Sequence, residues 1–97
     1  MDMNKRIKSV TVECSALVIT VDLQNGVGDH LILFEGDKIR VDPRPNTRTF
    51  KGMHRVMDKW GMTIGHITPR DIRSITGKSI RRIMEEQYGL AEEQSIR

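Results

Sequence analysis

The chain reads as a single α+β domain, with a small N-terminal antiparallel β-sheet of three or four strands followed by two or three short α-helices. Three observations predict this. Apolar and polar residues alternate over about residues 7–42, and the apolar period lengthens to about 3.6 over about residues 48–89. With 97 residues, 37% of them hydrophobic, there is material for one core and none for a second.

The strands come first. Val10, Val12 and Cys14 alternate with Thr11 and Glu13, and Leu17, Ile19, Val21 and Leu23 then alternate with Val18, Thr20 and Asp22. The apolar set changes parity between Cys14 and Leu17, which places a bend, bulge or tight turn near Ser15. Gln24-Asn25-Gly26 and Gly28 end that run. Leu31–Phe34 and Lys38–Val41 flank Glu35-Gly36-Asp37 as a compact hairpin would. Pro43 and Pro45, which cannot donate to a ladder, close the β region.

The helices follow. Phe50, Met53, Val56, Met57 and Trp60 fall on one helical face that Gly61 would end, with Arg48, Lys51, Arg55 and Lys59 opposite. Residues 62–67 read as a short connection compatible with extended chain. Thr68-Pro69-Arg70-Asp71 is a helix start: a threonine cap, proline at the first helical position and an acid at the third. Ile72 and Ile75 would face inward before Gly77 interrupts. A last helix from about Lys78 to Tyr88 places Ile80, Ile83 and Met84 on its apolar side, and residues 90–97 form a frayed acidic tail. Phe50, Met53, Met57, Trp60, Ile72, Ile80 and Ile83 are thus the expected inward set of the helical half.

Charge is segregated along the chain. Residues 1–37 carry three basic and six acidic side chains, residues 38–82 twelve and three, and residues 83–97 one and four. A field concentrated in the middle segment attracts polyanions where the net charge of +3 would not. Arg48, Lys51, Arg55 and Lys59, with Arg70, Arg73, Lys78, Arg81 and Arg82, are therefore the expected phosphate contacts. The plainer reading of such residues is a solvated helix back.

Two local resemblances point the same way. Pro69 to Gln87, two short helices joined at Gly77, resembles a helix-turn-helix in outline, although Lys78 and Arg73 stand where that motif keeps apolar and small residues. Ile67 to Arg73 followed by Gly77 to Glu86 resembles the helical core of an RNA-binding KH domain. Aligned on Gly77, however, Ser74 replaces the first glycine of the G-x-x-G loop. That likeness covers about a quarter of the chain, and membership of neither family is carried over. What both imply is contact with nucleic acid.

Catalytic chemistry has little footing. His30, His54 and His66 lie 24 and 12 residues apart with no metal-ligand spacing, and a ribonuclease using His54 or His66 beside cations is the one enzymatic alternative. No cofactor or metal is expected. Cys14, the lone cysteine, reads as a small core residue in a reducing compartment. With no apolar run long enough to span a bilayer and no secretory signal, a cytoplasmic protein without membrane contact is expected.

The expected function is a non-enzymatic protein binding DNA or RNA through a basic helical surface, in the manner of a small regulator. The alternative is a protein-binding inhibitor or adaptor, of the kind mobile elements direct at host nucleic-acid-handling complexes. An exposed edge strand would allow a homodimer.

Overall fold

A computed structural model describes residues 8–89, so the expected frayed tail lies outside the described residues. The elements run β1 (Val10–Glu13), β2 (Val18–Asp22), β3 (His30–Phe34), β4 (Lys38–Val41), β5 (His54–Met57), β6 (Thr63–Ile67), α1 (Pro69–Thr76) and α2 (Ile80–Tyr88). The mixed α+β class stands. The single small sheet does not: six strands form a four-stranded antiparallel sheet, ordered β1-β4-β5-β6, and a two-stranded sheet, β2-β3.

The two sheets are halves of one long hairpin that bends. Val10 pairs with Val41 and Glu13 with Lys38, whereas Val18 pairs with Phe34 and Asp22 with His30, so the register slips by one residue between the halves. The slip falls at the parity change near Ser15. There Cys14 N–H donates to the Asp37 carbonyl, Gly36 N–H to that of Cys14 and Glu35 N–H to that of Leu17. The extra residue lies on the β1–β2 strand and exchanges the faces of its later side chains, which is why Val10 and Val12 and then Val21 and Leu23 are all buried, while Leu33 and Val41 of the partner strand keep one parity. Glu35-Gly36-Asp37 is accordingly a corner between sheets, not the tip of the expected hairpin. The tip is residues 24–29, where Asn25 Oδ1 accepts from Val27 N–H and Gly28 N–H.

The expected helix over residues 48–60 does not form. Gly52 sits at φ +83° and its N–H donates to the Asn46 carbonyl, while Asn46 Oδ1 accepts from Arg48 N–H. Farther on, Asp58 Oδ1 accepts from Trp60 N–H and Met62 N–H, and Gly61 sits at φ +85°. Side chains of this kind compete with a helix for backbone groups, and a glycine inside one costs about 1 kcal/mol. What remains between the two turns is a strand, β5, paired with β4 and β6. Pro43 and Pro45 therefore mark a loop within the β region and not its end. Of the expected inward set, Met57, Ile72 and Ile83 are buried, while Phe50, Met53 and Ile80 are half-buried. Trp60 is 76% exposed.

The two helices keep to the sequence reading. Thr68 Oγ1 accepts from Asp71 N–H, and Asp71 Oδ2 accepts from Thr68 N–H, a reciprocal cap preceding Pro69. Gly77 at φ 77° ends α1, Ser79 caps α2, which starts at Ile80, two residues later than expected, and Gly89 ends it. Ile72, Ile75 and Ile83 pack on Val10, Val12, Cys14, Val41, Val56 and Ile67, with Val21, Leu23 and Leu33 of the bent hairpin closing the core. The free edge of β1 is covered by Gln87, whose amide both donates to the Thr11 carbonyl and accepts from Thr11 N–H.

Gly65 is required by a close approach. A Cβ there would meet Leu23 Cβ at 2.9 Å, an atom that moves only with its backbone. Gly65→Ala is expected to lower stability by about 1–3 kcal/mol, seen as an earlier urea midpoint. An unchanged midpoint would contradict this packing.

Candidate nucleic-acid interface

Directly opposed residues of antiparallel strands share a face. Val10, Val12, Val41, Val56 and Ile67 lie on the core face of the four-stranded sheet, under the helices. Thr11, Arg40, Met57, Arg55 and His66 consequently lie on the other. The loop from Pro43 to Met53 folds over that outer face, where the Phe50 ring stacks on His66 with centroids 4.2 Å apart.

This layering divides the nine sequence-predicted cations. Arg55 projects from β5 on the outer face. Arg48 and Lys51 are exposed on the loop above it, and Lys59 is exposed on the β5–β6 turn. Arg70, Arg73, Lys78, Arg81 and Arg82 lie on or beside the helices, on the opposite side of the sheet. The stripe of Arg48, Lys51, Arg55 and Lys59 on one helix is thus replaced by a group brought together by a sheet face and its two flanking turns.

The helix-side cations are largely neutralised. Lys78 Nζ lies 2.8 Å and Arg82 Nε 3.1 Å from the Glu86 carboxylate, and Arg81 Nε lies 3.4 Å from Glu85. Only Arg70 and Arg73 of the five pair with no carboxylate among the described residues. The helix pair of the helix-turn-helix outline exists, but its second helix presents paired charges.

On the outer face the balance differs. The Asp42 side chain, 11% exposed, lies 3.3 Å from both Arg44 Nε and Arg55 Nη2, and it also accepts from Arg44 N–H. One carboxylate therefore serves two guanidiniums. These three residues, with Pro45, Asn46, Thr47 and Arg48, line an open cleft of about 560 Å³. The Arg55 Nε is buried and has no hydrogen-bond partner among the described residues. Arg40 runs across the sheet from there, donating to Ser9 Oγ and to the Lys59 carbonyl. At that carbonyl the chain turns through Trp60, and Lys59 Nζ stands 4.7 Å from the centroid of the indole ring.

Arg40 and Arg44 are not among the site residues the sequence points to, and the exposed Trp60 is one it assigns to the core. Arg40 had a readable signal, since it alternates with Ile39 and Val41 in a strand whose apolar side is inward. Trp60 had none, because the helical period that assigned it to the core was itself mistaken.

The chain matches no family model, curated protein or solved structure. The site rests on its own geometry.

Two of the three histidines serve the fold. His54 is buried, and its Nδ1–H donates to the Asp42 carbonyl at 3.0 Å. His66 is buried beneath Phe50, with Nδ1 3.3 Å from the Gln24 carbonyl. A carbonyl only accepts, so each Nδ1 carries a proton. His30 is exposed beside Asp22, at 2.6 Å, in the two-stranded sheet. Cys14 is buried. No described helix is long and apolar enough to cross a membrane.

Glu86 has a shifted titration. Its hydrogen bond from Lys78, followed by that from Arg82 and the charges of both, outweighs desolvation and holds the carboxyl below its ordinary value. A folded carboxyl of lowered pKa stabilises fully above the unfolded chain's value, and loses that contribution as pH falls through the folded one. Acidification from pH 7 to about pH 3 is therefore expected to lower the melting temperature less in Glu86→Gln than in the parent chain. Equal falls in the two would contradict the pairing.

Proposed function

We propose that the chain is a non-enzymatic nucleic-acid-binding protein whose contact surface is the outer face of the four-stranded sheet, not the helices. The observation that carries this reading is the setting of Trp60. A tryptophan 76% exposed, on a turn whose lysine already sits over one ring face, is a stacking platform beside cations. Base stacking needs unpaired bases, so the reading favours single-stranded DNA or RNA. Phosphates would run from Lys59 past Arg40 to the cleft of Arg44, Arg48 and Arg55, with Lys51 at its edge. Guanidiniums suit phosphate because their planar forks bond it through two N–H groups.

Arg70 and Arg73 lie on the helix side and would extend the field without touching the same strand. Lys78, Arg81 and Arg82 are held by Glu85 and Glu86, which lowers what they can offer a phosphate. The protein-binding adaptor or inhibitor draws its support from a different surface, the apolar face of β2 and β3. A nuclease-resistant stoichiometric complex with a protein, and no affinity for oligonucleotides, would favour it.

Fluorescence anisotropy with a labelled single-stranded oligonucleotide tests the proposal. Trp60→Ala is expected to cost about 1–3 kcal/mol of binding. Lys51→Glu with Lys59→Glu, both at exposed positions, should reduce the log–log salt slope by about 1.4, two phosphate contacts at about 0.7 each. Arg81→Glu with Arg82→Glu should leave affinity within about twofold, since those cations are already compensated. Loss of binding in the helix pair alone would move the interface to the other side of the sheet.

A further inference from the structure

The β2–β3 ribbon carries a feature that nucleic-acid binding does not explain. Val18 opposes Phe34, Thr20 opposes Ile32 and Asp22 opposes His30, so these six side chains share the face turned away from the core. Val18, Ile32 and Phe34 are 54%, 56% and 58% exposed, and Leu17 beside them is 82% exposed. Isolated exposed apolar residues are ordinary, but a contiguous group on a flat sheet face marks a contact surface. The ribbon itself and its turns carry only acidic formal charge. Residues 9–37 contain no lysine or arginine and five acidic residues, of which Asp22, Asp29, Glu35 and Asp37 are exposed along the ribbon and its ends.

An acidic ribbon selects against the same surface on another copy, because two such faces brought together would oppose like charges. It selects for an apolar patch ringed by cations. The chain displays one. Trp60 and Met62 are 76% and 65% exposed on the β5–β6 turn, beside Lys59 and the guanidinium of Arg40.

We propose that copies of this chain associate head to tail, the β2–β3 face of one docking on the Trp60–Met62 turn of the next. Such a contact is heterologous, so each copy keeps one free surface of each kind and assembly continues past a dimer unless a ring closes. The patches are small, and the association is correspondingly weak. The inference shares the Trp60 turn with the nucleic-acid reading but does not depend on it.

Sedimentation velocity of the full chain at low salt, from about 10 µM to about 1 mM, is the test. The parent chain should gain weight-average mass beyond that of a dimer, less so at high salt. Phe34→Asp and Trp60→Ala should each be monomeric throughout, yet an equal mixture of the two should form dimers and nothing larger, since it retains one intact pair of surfaces. Phe34→Asp should also bind oligonucleotide like the parent, which separates this proposal from the previous one. Should Phe34→Asp fail to give a native circular dichroism spectrum, Ile32→Asp takes its place. A monomeric parent at the highest concentration, self-association of Trp60→Ala like the parent's, or a mixture that stays monomeric would each overturn the proposal.

Discussion

The rest of the structure depends on one face of one sheet. Val10, Val12, Val41 and Val56, with Ile67, have exposures of 1% or less and form the floor on which both helices pack. Burial of each is worth about 1.5–3 kcal/mol, more than any exposed ion pair contributes. Because strand side chains alternate, fixing those five inward leaves Arg40 and Arg55 no choice but the outer face. The basic surface is therefore a consequence of the core and not a separate device. The same constraint places the helices, and every cation they carry, on the far side.

The bend in the long hairpin adds the second layer. If the register between β1 and β4 had continued unbroken, Val21 and Leu23 would have turned outward and Val18 and Thr20 inward, while Leu33, in phase with Ile39 and Val41, would have kept its face. The slip near Ser15 restores the apolar set to the core and lays Leu23 against Gly65 of the outermost strand. It also turns Val18 outward beside Ile32 and Phe34, which completes the exposed apolar face.

How much of this was legible follows from how local each signal was. The cap at Thr68, the stops at Gly77 and Gly89, and the parity change near Ser15 are decided within a few residues, and the sequence shows them. The helical reading of residues 48–60 fails because Met53, Val56, Met57 and Trp60 fit a helical period by accident, while Asn46, Gly52 and Asp58 set turns on either side. Glu35-Gly36-Asp37 looked like a hairpin tip because a corner between sheets uses the same residues. The charge segregation over residues 38–82 was visible, but not its division between two sides of a sheet, which needs the topology. Pairing was equally hidden: Glu85 and Glu86 lie outside that basic segment and neutralise three of its members.

The electrostatic consequence is an asymmetric molecule, with compensated helices on one side and on the other a sheet face where, among the described residues, Asp42 is the one carboxylate paired with Arg44 and Arg55. That asymmetry underlies the proposed interface. It is tested most directly by ¹H–¹⁵N correlation spectra recorded while an unlabelled single-stranded oligonucleotide is added. Shifts are expected for the Trp60 indole N–H and for amides around Arg40, Arg48 and Arg55, with those of Ile72 to Tyr88 unmoved. Shifts concentrated in the two helices, or none anywhere at saturating oligonucleotide, would contradict it.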